Sequence, residues 1–156
     1  MAFMAHTGAE QVSDYASYLD GGATDHMSDR LEWFTSISEV PKRRWPVMIA
    51  DNRQLWIRGV GKIQIECLID NNKTQRRTLD QVLYVPALRK NLFSVGMAAD
   101  RGFVTTYTRS TCYLTSHEGK GQVVLTGIRA DRLYQLKLSV TQPSCQAYLI
   151  CTEGTM

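Results

Sequence analysis

The chain has 156 residues, 44% of them hydrophobic and 21% charged, which suits one globular domain rather than a disordered segment or two sizeable units. Its 18 basic and 15 acidic residues leave a net charge of +3, too mild to demand nucleic acid. No stretch approaches the ~20 apolar residues of a membrane span, and the opening MAFMAHTGAEQVSDYASY has no basic start followed by an apolar run, so no secretory signal is expected.

In chain order, residues 1–15 read as an N-terminal extension. Apolar Tyr18 and Leu19 then lead into Asp20-Gly21-Gly22-Ala23-Thr24. Asp-Gly is a turn dipeptide, since glycine accepts positive φ and aspartate bonds its own backbone. Here, however, the carboxylate leaves a buried strand and enters a tight loop whose amides could hold an anion. His26, just after it, reads as a structural hydrogen-bonder, and Trp33-Phe34 as packing residues. Lys42-Arg43-Arg44 beside Trp45 is read as a solvated loop. Val47 to Ala50 forms a strand, Asp51-Asn52 a hairpin turn, and Leu55 to Asp70 a long strand run with Ile63, Ile65 and Cys67 on one face.

Residues 71–77, NNKTQRR, read as a polar turn, with Arg76-Arg77 as surface charge. A strand from Leu79 is stopped by Pro86, and Arg89-Lys90 is again surface charge. The stretch Asn91 to Asp100 lacks alternation and is closed by Arg101-Gly102, which predicts a short helix. Strands follow at Phe103–Thr108, Cys112–Ser116, Gln122–Gly127 and Arg132–Leu138. Residues 139–156, with Pro143, lose the pattern and read as a linker or tail. Short strands about ten residues apart predict an all-β sandwich or barrel.

Among chemistries, Cys67, Cys112, Cys145 and Cys151 form no C-x-x-C pair, and His6, His26 and His117 supply no close partners, so no metal site is expected. Reduced thiols are expected, with Cys67 and Cys112 as small core residues. There is no phosphate-binding G-x-x-x-x-G-K-[ST] loop and no nucleophile elbow. What remains is carboxylate chemistry: two carboxylates about 3 Å apart share one proton, so one serves as base and the other as acid. This chain has a single aspartate so placed, and a second would have to come from another copy across a two-fold axis.

The Tyr18–Thr24 stretch resembles the D-[ST]-G-[AS] box of retropepsin-like aspartic proteases. LDGGATDHM (19–27), VMIADNRQLWIRGVGKI (47–63), LDQVLYVPALRKNLFSVGMAADRGF (79–103) and GIRADRLYQL (127–136) are similar, in the same order, to the protease region of copia-type retrotransposon Gag-Pol polyproteins. The resemblance implies a protease domain over residues 16–138: an all-β, closed retropepsin-like barrel or sandwich with one short helix, active as a homodimer. Asp20 would be the catalytic acid/base, with Gly21, Gly22, Ala23 and Thr24 forming its loop and Gly22 offering its amide to the carboxylate. Ile49, Ala50, Asp51, Asn52, Arg53 and Trp56 would belong to a flap over the substrate. Leu92, Phe93 and Gly96 would support the loop from beneath. The implied partners are a second copy and a polypeptide, the Gag-Pol polyprotein, within cytoplasmic virus-like particles. No cofactor, metal, membrane or nucleic acid is implied.

One position departs from the pattern. The family has Ser or Thr after the aspartate, where this chain has Gly21. That hydroxyl normally bonds across the dimer, so its loss removes a hydrogen bond worth about 1 kcal/mol net per subunit and loosens the loop. The expectation is a weaker dimer on an intact fold. The alternative reading is a domesticated, weakly active or inactive module that retains the fold for dimerisation or peptide binding.

Overall fold

The structure, a computed structural model, describes residues 16–40, 45–49, 52–70, 72–116 and 121–141. Strands dominate it: β1 (Ser17–Asp20), β2 (Met27–Ser28), β3 (Phe34–Glu39), β4 (Pro46–Met48), β5 (Gln54–Trp56), β6 (Gly59–Asp70) and β7 (Lys73–Tyr84) in the first half. The second half adds β8 (Asn91–Ser94), helix α1 (Val95–Asp100), β9 (Phe103–Tyr107), β10 (Thr111–Ser116), β11 (Gln122–Ala130), β12 (Leu133–Leu136) and β13 (Leu138–Val140). A 3₁₀ turn, Leu31–Trp33, precedes β3. Among the described residues the chain is mostly strand with one short helix, as expected.

Among the described residues the expected closed barrel is not formed. Ten strands follow the path β13-β6-β7-β2-β8-β1-β12-β11-β10-β9, and β3, the eleventh, pairs with β6 off that path. The chain changes partners at Lys137: β12 pairs with β1 and β11, whereas β13, one residue on, pairs with β6. Strand pairing runs on to Val140, opposite Ile65.

Two local expectations need correction, and one strand was not anticipated. Asn91 to Ser94 is strand, and only Val95–Asp100 is helical. Ser94 is the switch: its side-chain oxygen caps the helix by accepting from Met97 N at 3.1 Å, a stop signal for the strand and a start signal for the helix. Within the polar stretch, residues 73–77 are strand, because β7 begins at Lys73 and its backbone pairs along β6, while the side chains of Lys73 to Arg76 stay exposed. Finally, Phe34–Glu39 is a strand on β6 that the polar residues of FTSISE conceal. It lies so close that a Cβ built on Gly61 would collide with the Ser36 carbonyl oxygen, so glycine is required there.

The core divides into two clusters. The larger gathers Trp33, Phe34, Ile63, Ile65, Val82 and Leu114, with Cys67 and Cys112 as the expected buried small residues. Burial pushes both thiols up to about 11, so they stay protonated at neutral pH. The smaller cluster, Met27, Leu55, Ile57, Val85 and Leu88, lies beneath the β4–β5 hairpin, whose Val47 and Ile49 pack on it.

Candidate active site

Asp20 is the last residue of β1, which is held on both sides. It runs parallel to β8, with Asp20 opposite Ser94, and antiparallel to β12, with Leu19 opposite Tyr134. The half-buried carboxylate is turned back on its own loop: Gly22 N donates to Asp20 Oδ1 at 2.8 Å, an Asx-type contact that fixes the side chain. The glycine-rich box thus builds the turn that the sequence suggests. Thr24 Oγ1 donates to Asp25 Oδ2 at 3.0 Å and lies on the exposed side of the loop.

Beneath the loop is a buried polar network. Ser94 Oγ donates to Ala23 O at 2.7 Å, tying the loop to the start of α1. Ser94 N donates to His26 Nδ1 at 2.9 Å, so the imidazole proton sits on Nε2. His26 packs against Phe93 with ring centroids 4.6 Å apart. Its pKa is lowered to about 4, chiefly by burial and further by Arg101, against a smaller opposing pull from Asp25. It therefore stays neutral at physiological pH, in keeping with the structural role expected of it. Asn91 accepts from Ser28 Oγ at 2.7 Å and donates to Ala16 O at 3.2 Å, joining β8 to β2 and to the entry of β1. A buried group of this kind stabilises only when its partners are present, and here each has them.

The opposite wall is the hairpin. Val47 pairs with Leu55, Ile49 N donates to Arg53 O at 3.1 Å and Asn52 N donates to Ile49 O at 2.9 Å. Asn52 takes φ 64°, a left-handed conformation that asparagine tolerates well. The turn expected around Asp51-Asn52 is therefore present at Asn52; Ala50 and Asp51 themselves lie outside the described residues, as do Lys42, Arg43 and Arg44.

Between the walls lies a cleft of about 700 Å³. It brings together Asp20, Gly21, Gly22 and Ala23 from the loop, Ile49 and Arg53 from the hairpin, and Leu92 from β8. Thr24, Asn52, Trp56, Phe93 and Gly96 do not line it. Trp56 sits at the hairpin base opposite Pro46, Phe93 is in the core below, and Gly96 is exposed on α1, leaving the support to Phe93 and Ser94. Sequence reasoning missed Met48, Lys90 and Leu133, which also line the cleft. Lys90 had been read as surface charge; its place just before buried Asn91, at the foot of the parallel β1–β8 pair, is the signal that could have found it. Leu133 follows a turn at Asp131, φ 63°, which no hydropathy pattern reveals.

A glycine loop thus presents one carboxylate into a hairpin-covered cleft whose volume lies within the ~300–1,000 Å³ typical of ligand clefts. The chain belongs to the family described as Pol polyprotein, beta-barrel domain, whose profile matches residues 17–103. It is also similar to a retrovirus-related Pol polyprotein from transposon RE1 of Arabidopsis thaliana, at 26% identity over 125 residues. That alignment covers 80% of this chain but only 8% of the relative. No solved structure matches. The chain is thus a domain of retrotransposon Pol type.

Proposed function

We propose that this domain is an aspartic endopeptidase of a copia-type retrotransposon, acting on its own Gag-Pol polyprotein within cytoplasmic particles. The observation that carries the reading is the Asp20 carboxylate, fixed by the Gly22 amide at 2.8 Å and facing the cleft that the hairpin covers. In a homodimer, Asp20 and Asp20 of the partner subunit share one proton. The ionised member takes a proton from water as its oxygen attacks the scissile carbonyl, and the protonated member hydrogen-bonds the carbonyl oxygen. The tetrahedral intermediate then collapses, its C–N bond breaking as the dyad delivers a proton to the leaving nitrogen. The hairpin excludes water and positions the peptide, while the Ser94–Ala23 and Ser94–His26 bonds keep the loop in place.

The test is incubation of the purified chain, at high concentration between pH 4 and 7, with its upstream polyprotein segment. Cleavage by this chain and none by Asp20→Asn supports the reading. Absence of cleavage by a demonstrated dimer sinks it. One observation favours a second reading, a non-catalytic dimerisation or peptide-binding module: the residue after Asp20 is Gly21, with no hydroxyl to join the two loops.

A further inference from the structure

A second cleft, about 250 Å³ in volume, opens between β7, α1 and β9 and shares no lining residue with the first. Its floor is the apolar core, including Leu114 and Leu79. Arg77 lies opposite Ile65 in the β6–β7 ladder, so the two share the core-facing side, whereas Arg76 shares the other side with Glu66. Although expected to be surface charge, Arg77 is half-buried. Its guanidinium carbon lies 5.4 Å from the centroid of the Phe103 ring, and its Nε is buried without a hydrogen bond to any described residue.

The other charges around the cleft do not satisfy it. Arg101 pairs with Asp80 at 3.4 Å, the His26 imidazole is neutral, and so is the Cys67 thiol. Three arginines, Arg76, Arg77 and Arg101, line the cleft against the single carboxylate of Asp80, so positive charge is in excess there, part of it on a guanidinium stacked over an aromatic ring. Such a fork matches a planar carboxylate with two parallel hydrogen bonds, and apolar surroundings strengthen the demand for one. The volume falls below the ~300–1,000 Å³ of small-molecule clefts, which suits one or two side chains of a docked segment rather than a whole cofactor.

We propose that this cleft docks a polypeptide segment carrying an acidic side chain beside a large apolar one. The carboxylate bonds Arg77, and the apolar side chain packs against the floor. Because His26 also lines the cleft and holds Ser94, the docked segment lies against the support of the Asp20 loop.

The test is an NMR titration of the full chain with the blocked peptide acetyl-Gly-Glu-Phe-Leu-Gly-amide and with its Gln counterpart. Expected are shifts at Arg77, Phe103 and His26, at least tenfold weaker binding of the Gln peptide, and loss of that discrimination in Arg77→Gln. Arg77→Lys, which keeps charge but not the fork, guards against misfolding and should lose most of the discrimination. Equal binding of the two peptides, discrimination that survives either substitution, shifts confined to the Asp20 cleft, or no binding at millimolar peptide would each overturn the proposal. Asp20→Asn should bind unchanged, which separates this site from the proposed proteolysis.

Discussion

The Asp20 loop and the hairpin facing it reach one cleft by opposite construction. The loop rests on buried, paired polar groups and on four residues of parallel ladder. The hairpin is a separate two-stranded sheet of three residue pairs, with Met48 59% exposed at its end and the small cluster of Met27, Leu55, Ile57, Val85 and Leu88 beneath it. An isolated two-stranded hairpin is marginally stable in water, so its position depends on packing against the small apolar cluster, whereas the loop is held by ladder pairing and by buried polar bonds. The proposed peptidase, which would hold a carboxylate still and yet admit a polypeptide, needs this asymmetry, with the wall of lower opening energy made from the less tightly held element.

The largest expected effect comes from removing the loop's support. Phe93→Ala should destabilise the fold by about 3–5 kcal/mol, the usual cost of deleting a buried aromatic, because the ring packs on His26 within the main core. Met48→Ala on the hairpin should cost under about 0.5 kcal/mol. Urea unfolding of both variants measures the difference, and equal losses would erase the distinction between the walls.

Acid offers a second way to loosen the loop alone. Folding lowers the His26 pKa from its ordinary 6.5 to about 4, so the folded state favours the neutral ring. As pH falls below about 6.5 the unfolded chain takes up a proton first, and stability present above that pH drains away down to about pH 4. The loss has an upper bound of about 3.5 kcal/mol, at ~1.4 kcal/mol per pH unit over the 6.5-to-4 range. Urea midpoints at pH 7, 5.5 and 4.5 should follow this slope. His26→Asn, whose carboxamide oxygen can still accept the Ser94 N–H, should flatten it, and an unchanged slope would place the acid sensitivity elsewhere. Should the domain cleave its substrate, this titration sets an acid limit on activity even as low pH favours a protonated dyad.

The same contrast explains what could be read without coordinates. Alternation along Ile63, Ile65 and Cys67 revealed β6, and turn chemistry at Asp51-Asn52 revealed the hairpin, because both are written in local residue types. The loop's support was concealed because its key positions are polar yet buried. Asn91 and Ser94 read as part of a short helix, since nothing local announces partners such as Ser28 and Ala16, 63 and 75 residues from Asn91. Strand β7 was concealed likewise, its polar first half being held by pairing with β6 rather than by its own pattern.

Ser94→Ala tests one node of that concealed network. It removes the cap on Met97 N and leaves the Ala23 carbonyl without its donor. A lost cap costs about 1 kcal/mol and an orphaned, part-buried acceptor at least as much, so a total near 2 kcal/mol is expected. Hydrogen exchange should show faster opening of the Asp20 loop than of β4–β5. Faster exchange at the hairpin instead would mean that the two walls are coupled and the asymmetry is superficial.

The smallest expected effect is at Gly21, and it is informative because it is small. A Cβ built there meets nothing within 4 Å, and the backbone φ lies outside the left-handed region, so serine adds neither clash nor strain within one chain. Gly21→Ser should therefore shift the unfolding free energy of the dilute chain by less than about 0.5 kcal/mol. The hydroxyl has no evident partner among the described residues of its own chain, so any gain must come from outside it. If the proposed dimer is correct, the variant should associate more tightly in sedimentation and cleave faster at a given concentration. A large change in dilute-chain stability would show that the side chain finds a partner within its own loop, and the absent hydroxyl could then no longer explain a weak dimer.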